Sequence, residues 1–233
     1  MRRPPEEPET KRLRGDAIMV TVLYLLVLLA LLGQAFPAAT TPSGAASAEA
    51  LARGIEARHR TVRDLTARFV QTYRSGLVGR EIVESGTLSL KRPGRMRWEY
   101  RDPERKTFVS DGQKYYFYVP ADRQVVVREQ AGDRSVTTLL LTGQADILAE
   151  FSVALEAPEN GRARLRLTPR RENAEVQQVV VEVDERHLIR AIRVRDAQGS
   201  ESRFQFEGIR ENVGLDDRLF RFDIPRGVEV VKG

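Results

Sequence analysis

The sequence predicts a mainly β protein with a few helices, its ten or eleven short strands forming an antiparallel barrel or sandwich. Three observations carry that prediction. From residue 84 onward, short runs alternate apolar and polar residues, as in "RMRWEY" and "RARLRL". Turn residues separate these runs: Pro93-Gly94, Ser110-Asp111-Gly112, Asp184-Glu185-Arg186 and Ala197-Gln198-Gly199. No helical run stands between successive strands, as a parallel βαβ sheet would require.

The chain opens differently. "KRLRGD" precedes the apolar "AIMVTVLYLLVLLALLGQAF", and the small residues of "PAATTPSGAASAEA" follow. A charged segment, an apolar stretch of about 16 residues and a small-residue zone make a signal peptide, slightly short for a membrane span. Residues 1–47 therefore read as signal peptide and linker, cut between 35 and 48. Ala35, Ala39 and Ala48 are the candidate cut sites. An uncleaved anchor is the alternative. Either way, residues 48–233 belong outside the cytoplasm as a single domain.

A helix is expected over residues 48–73. Leu51, Ile55, Val62, Leu65, Phe69 and Tyr73 share one face at steps of four, seven, three, four and four. "SGLVG" ends it. His59, between Arg58 and Arg60, reads as solvated. Strands follow in "ESGTLSLKRPG", "RMRWEYRDP", "KTFVSDGQKYYFYVP" and "RQVVVRE". The segment "SVTTLLLTGQADILAEFSVAL" interrupts them. Val136, Leu139 and Leu140 mark a helical face, with Ile147 and Leu148 on a second short helix after Gly143. "VTTLLL" reads equally well as a buried strand. A meander needs only a tight turn there, so the insertion reads as a cover. The remaining strands lie in "RARLRLTP", in residues 176–209 and in "LFRFDIPRGVEVV".

Composition excludes several chemistries. The chain has no cysteine, which removes disulfides, thiol catalysis, cysteine-ligated metals and N-terminal cysteine lipidation. His59 and His187 are its only histidines, too few for a histidine metal cluster. The sequence has no Gly-rich phosphate loop and no nucleophile elbow. Acidic residues sit mostly beside arginines, as in "RDPERK", and read as salt-bridged faces. The net charge of +5 is spread along the chain, without the basic block of a nucleic-acid arm. No catalytic residue, metal or cofactor is expected.

Residues 91–103, "KRPGRMRWEYRDP", hold the only tryptophan. Met96, Trp98 and Tyr100 share one strand face; Arg95, Arg97, Glu99 and Arg101 share the other. This stretch, together with "ARFVQTY", "GTLSLKRPGRMRWEYRDP", "VSDGQKYYFYVP" and "FRFDIPRGV", resembles the periplasmic outer-membrane lipoprotein carrier family, LolA. The resemblance covers about residues 48–231, and the ordered combination is what makes it specific.

It implies an incomplete antiparallel β-barrel closed by a helical lid over an apolar cavity, in a monomer located in the periplasm. It also implies a non-enzymatic role. Such a carrier takes the acyl chains of lipoproteins from an inner-membrane ABC transporter complex and delivers them to an outer-membrane receptor lipoprotein. Arg92 matches the family's arginine before proline. The resemblance has it link the sheet edge to the lid by hydrogen bonds, with Pro93 stiffening the turn that aims it. Met96 and Trp98 are expected at the cavity mouth, or else in an ordinary core, and Leu139 and Leu140 in the lid. Two alternatives share the fold: a carrier of another lipid or glycolipid, and a regulatory module that senses lipoproteins.

Overall fold

The computed structural model describes residues 44–129, 135–172 and 175–232. The apolar stretch at 17–32 and the candidate cut sites Ala35 and Ala39 lie outside them. Helix α1 (Gly44–Thr61) leads into strands β1 (Asp64–Arg74), β2 (Glu81–Lys91), β3 (Arg95–Asp102), β4 (Lys106–Asp111), β5 (Lys114–Val119) and β6 (Gln124–Glu129). Helices α2 (Val136–Thr142) and α3 (Ile147–Glu150) come next. Strands β7 (Phe151–Glu159), β8 (Arg162–Pro169), β9 (Gln178–Val183), β10 (Ile189–Arg195) and β11 (Glu201–Glu211) follow. A 3-10 turn (Asp217–Phe220) and β12 (Glu229–Lys232) end the chain.

The twelve strands among the described residues form one sheet in the order β12-β6-β5-β4-β3-β2-β1-β11-β10-β9-β8-β7. The two meanders join where β1 pairs with β11. Three expectations need correction. Among the described residues the strands number twelve, not ten or eleven. The sheet is open, with β7 and β12 as its two edges. β12 runs parallel to β6, so the sheet is not wholly antiparallel. The two edges are managed separately, since α1 lies beside β7 while β12 occupies the free edge of β6.

The third correction concerns the first helix, which stops at Thr61 rather than reaching residue 73. Leu65, Phe69 and Tyr73 lie on a strand. A spacing of four satisfies a helix and a strand alike, because four is also a multiple of two. The burial of Leu65, Ala67 and Phe69 at alternate positions has the strand period. Thr61, Val62, Thr66, Val70 and Thr72 add the β-branched side chains that favour extended backbone. "SGLVG" is accordingly the turn between β1 and β2.

One face of the sheet and the helices share the main core. Ala48, Ala52 and Ile55 of α1, Val136, Leu140 and Leu141 of α2, and Ile147 pack with Leu65, Leu88, Met96, Leu165, Val181 and Ile192. "VTTLLL" is therefore helical. Thr142 donates its hydroxyl proton to the Thr138 carbonyl at 2.7 Å. Gly143 then ends α2 in the left-handed conformation, at φ 67°. A side chain there would also press on His59, whose Cβ lies 3.0 Å from the position a Cβ would take.

The opposite sheet face has its own small core. Val109, Val125 and Phe220 are buried apart from the main cluster. The C-terminal segment crosses this face, stacking Phe222 on Tyr116 with ring centroids 5.5 Å apart. It is pinned by Asp217 to Lys91 (2.5 Å) and Arg95 (2.7 Å), and by Arg97 to the Leu219 carbonyl. The basic face of "RMRWEYR" is thus a seat for the 3-10 turn that leads into "FRFDIPRGV".

Candidate functional site

Alternation along β3 places Trp98 and Tyr100 on the helix-covered face. There they meet Phe69 of β1 and Phe204 of β11. Trp98 sits edge-on to Phe69 at 4.8 Å and to Phe204 at 5.4 Å between centroids, and Phe69 meets Tyr100 edge-on at 4.9 Å. Edge-to-face pairs of this kind hold rings rigidly in place. Gly86 makes the cluster possible: a Cβ there would fall 2.0 Å from the Glu99 carbonyl oxygen and 2.9 Å from the Phe69 ring.

This aromatic floor opens into a cleft of about 430 Å³ between the sheet and the start of α2. Trp98, Tyr100, Phe108, Phe117 and Phe204 line it from the sheet, Val136 from α2, and Val176 and Val194 from the far side. Gln71, Glu84, Lys106 and Ser202 supply polar lining from the sheet, and Ser135, Thr137, Thr138 and Glu175 add more around the start of α2 and the far side. Glu84 and Lys106 pair at 2.5 Å, and the Lys106 ammonium lies 4.8 Å from the centre of the Tyr100 ring. The Tyr100 hydroxyl donates to Gln71 Oε1 at 2.7 Å. Burial, and then the Glu84 charge, push the Tyr100 phenol above its ordinary range, so it stays neutral. The volume is that of a small-molecule pocket, and its walls are mixed, with an aromatic floor from the sheet and as many polar as apolar residues around it.

A second arrangement lies at the end of α1. The Arg92–Pro93 turn between β2 and β3 sends Arg92 to the last turn of that helix. Arg92 Nη1 donates to the His59 carbonyl at 3.1 Å, and the Arg92 backbone N–H donates to the Arg63 carbonyl at 2.9 Å. The last carbonyls of a helix lack partners within it, and a cation there also favours the helix dipole. Asn212 supplies another cap, donating to the Thr61 carbonyl. His59 is half-buried, which corrects its reading as a solvated residue. Its Nδ1 lies 3.2 Å from the Ile55 carbonyl, and its ring also reaches the Leu141 carbonyl of α2. Gly143 leaves the room that lets the imidazole in. Burial, reinforced by Arg92 and Arg58, outweighs the two carbonyl contacts and holds its pKa below 6.5.

The structure separates the residues singled out from sequence. Trp98 lines the cleft. Met96, 1% exposed, lies in the core and outside the cleft lining. Leu140 is buried in the core, and Leu139 beside it is half-buried. Arg92 and Pro93 are exposed at the α1 junction, and Arg92 reaches α1 directly but α2 only by way of His59. Phe69, Phe108, Val194 and Phe204 were not singled out. The alternation of "SRFQFEG" puts Phe204 and Phe206 on one face, a signal that was available for Phe204. Nothing local in the sequence indicates that β11 lies beside β1.

The sequence profile described as "Outer membrane lipoprotein carrier protein LolA" matches residues 60–223. An outer-membrane lipoprotein carrier protein of Methylococcus capsulatus is 32% identical over 173 residues, covering 73% of this chain and 82% of that one. One from Hahella chejuensis is 31% identical over 196 residues, covering 81% of this chain and 92% of that one. Among solved structures, an uncharacterized conserved protein of Thermus thermophilus has a similar fold. Its TM-score is 0.52 at 12% identity, covering 80% of this chain and 99% of that one.

Proposed function

Because the chain belongs to the LolA family of outer membrane lipoprotein carrier proteins and is a periplasmic lipoprotein carrier in that general sense, we propose that its cleft shields lipoprotein acyl chains from water. The observation that carries this reading is the aromatic-floored cleft between sheet and α2. Each CH₂ kept out of water is worth roughly 0.8 kcal/mol, so a long acyl chain costs on the order of 10 kcal/mol to expose. The aromatic floor offers acyl chains an apolar surface, so binding alone can meet that cost, and the reading assigns the protein no covalent chemistry.

Trp98, Val136 and Val176 belong both to the cleft lining and to the main core. Lifting α1 and α2 as a lid extends the cleft into the core, making room for further chains. Arg92 and His59 form the latch that resists lifting. The carrier, a monomer, loads from an inner-membrane ABC transporter complex and unloads to an outer-membrane receptor lipoprotein. Native mass spectrometry of protein purified from the periplasm tests the cargo. Bound acylated lipoprotein is expected; free lipid or glycolipid in its place would refute the reading.

A further inference from the structure

The β1–β2 hairpin ends in a bare aliphatic tip. Leu77 is 85% exposed and Val78 75%, the two highest values among the large apolar residues described. Turns are ordinarily polar for good reason. This one is nonetheless well braced. The Ser75 N–H donates to the Arg80 carbonyl and the Gly79 N–H to the Ser75 carbonyl, both at 3.0 Å. Gly76 fits so tightly against the β10–β11 turn that a Cβ would lie 2.3 Å from the Gln198 carbonyl oxygen. The tip therefore holds its two aliphatic side chains in water by construction.

The hairpin also connects to the cleft. β1 and β2 pair in unbroken register from Asp64↔Lys91 to Arg74↔Glu81. Gln71 and Glu84 are directly opposed and line the cleft. Tyr73 and Ile82, the opposed pair two residues further out, share their face and are also exposed. An exposed apolar pair thus stands between the tip and the polar Gln71–Glu84 rim of the cleft. Arg74 and Arg80 flank Leu77 and Val78, and neither forms an ion pair among the described residues.

Two side chains at a hairpin end offer far less area than the ~1,000 Å² a specific protein interface needs. They do match a bilayer surface. Aliphatic tips enter the acyl boundary while arginine stems keep their guanidinium groups at the phosphates. We infer that the β1–β2 tip docks on anionic phospholipid bilayers, with Leu77 and Val78 inserted and Arg74 and Arg80 at the headgroups. The docking stands on the tip alone. That it opens a dry route along Tyr73 and Ile82 into the cleft rests on the carrier reading.

The absence of cysteine makes the test direct. A polarity-sensitive fluorophore is attached through Val78→Cys, or as a control through Ala157→Cys on the exposed face of edge strand β7. Protein from the periplasm is mixed with phosphatidylethanolamine vesicles, with and without phosphatidylglycerol, whose acyl chains are brominated. Quenching is expected at position 78 and not at 157, and more strongly with phosphatidylglycerol. Leu77→Ser should weaken vesicle affinity about tenfold, and Arg74→Gln with Arg80→Gln should abolish the preference for phosphatidylglycerol. No quenching at 78, equal quenching at both positions, or indifference to Leu77→Ser and to the arginine pair overturns the inference. Binding of a soluble fluorescent fatty acid is measured alongside. Insertion at position 78 without fatty-acid binding keeps the tip and overturns the cleft reading alone.

Discussion

Replacing Arg92 by leucine removes the direct hydrogen bond between the β2–β3 turn and α1 while leaving the turn itself in place. The Arg92 backbone N–H still reaches the Arg63 carbonyl. What disappears is the 3.1 Å bond to the His59 carbonyl and a cation at the end of the helix dipole. A hydrogen bond from a charged donor contributes about 1.5–3 kcal/mol, and solvent exposure places Arg92 at the bottom of that range. A dipole contact at the surface adds a few tenths of a kcal/mol. The sum is about 1.5–2 kcal/mol, a shift of roughly ten- to thirtyfold in an open–closed equilibrium. Cargo entry and helix closure compete for this free energy. Arg92→Leu should therefore load lipoprotein from inner-membrane vesicles at least as well as the wild type. It should pass cargo to immobilised receptor about tenfold more slowly, because reclosure no longer drives expulsion. Amide exchange in the last turns of α1 should accelerate by a similar factor, with the β9 and β10 core unchanged. Arg92→Lys keeps the charge but loses the planar fork, and should fall between. Wild-type loading, release and exchange in Arg92→Leu would reduce Arg92 to a surface arginine and remove the latch.

Further outcomes follow from the same geometry. Phe204→Glu places a charge on the cleft wall, half-buried beside Trp98, and should abolish fatty-acid binding while far-UV circular dichroism stays native. Met96→Ala, by contrast, empties a fully buried site and should cost about 2–5 kcal/mol in urea unfolding. Met96→Glu should fail to fold at all. His59 has a folded-state pKa below its ordinary 6.5, so the unfolded chain binds the extra proton first. Its contribution is full above pH 6.5 and is lost as the pH falls from 6.5 through the folded value. Melting curves across that window should decline for the wild type and flatten for His59→Asn.

The fold was legible where burial is one-sided and strands are short. "RMRWEYR" reads as a strand with opposite faces, and both faces proved to have a partner. It was not legible where two periods coincide, as at Leu65, Phe69 and Tyr73. Nor could local pattern show that the arginine face of β3 seats the chain's own C-terminus. That pairing depends on Asp217 meeting Lys91 and Arg95 across more than a hundred residues. The site divided in the same way. Trp98 announced itself by rarity and alternation. His59 did not, because its environment is made by Gly143 and Leu141, on a different helix.

The seam between β1 and β11 has a consequence in time. Leu65 opposes Leu90 on one side and Glu211 on the other. A chain emerging from its N-terminus can zip β1 through β6 hairpin by hairpin, but β1 then waits for its second neighbour until residues 201–211 arrive. Contacts so distant in sequence are slow to form. Neither the complete sheet nor β12 on the β6 edge can therefore assemble before almost the whole polypeptide is available to fold.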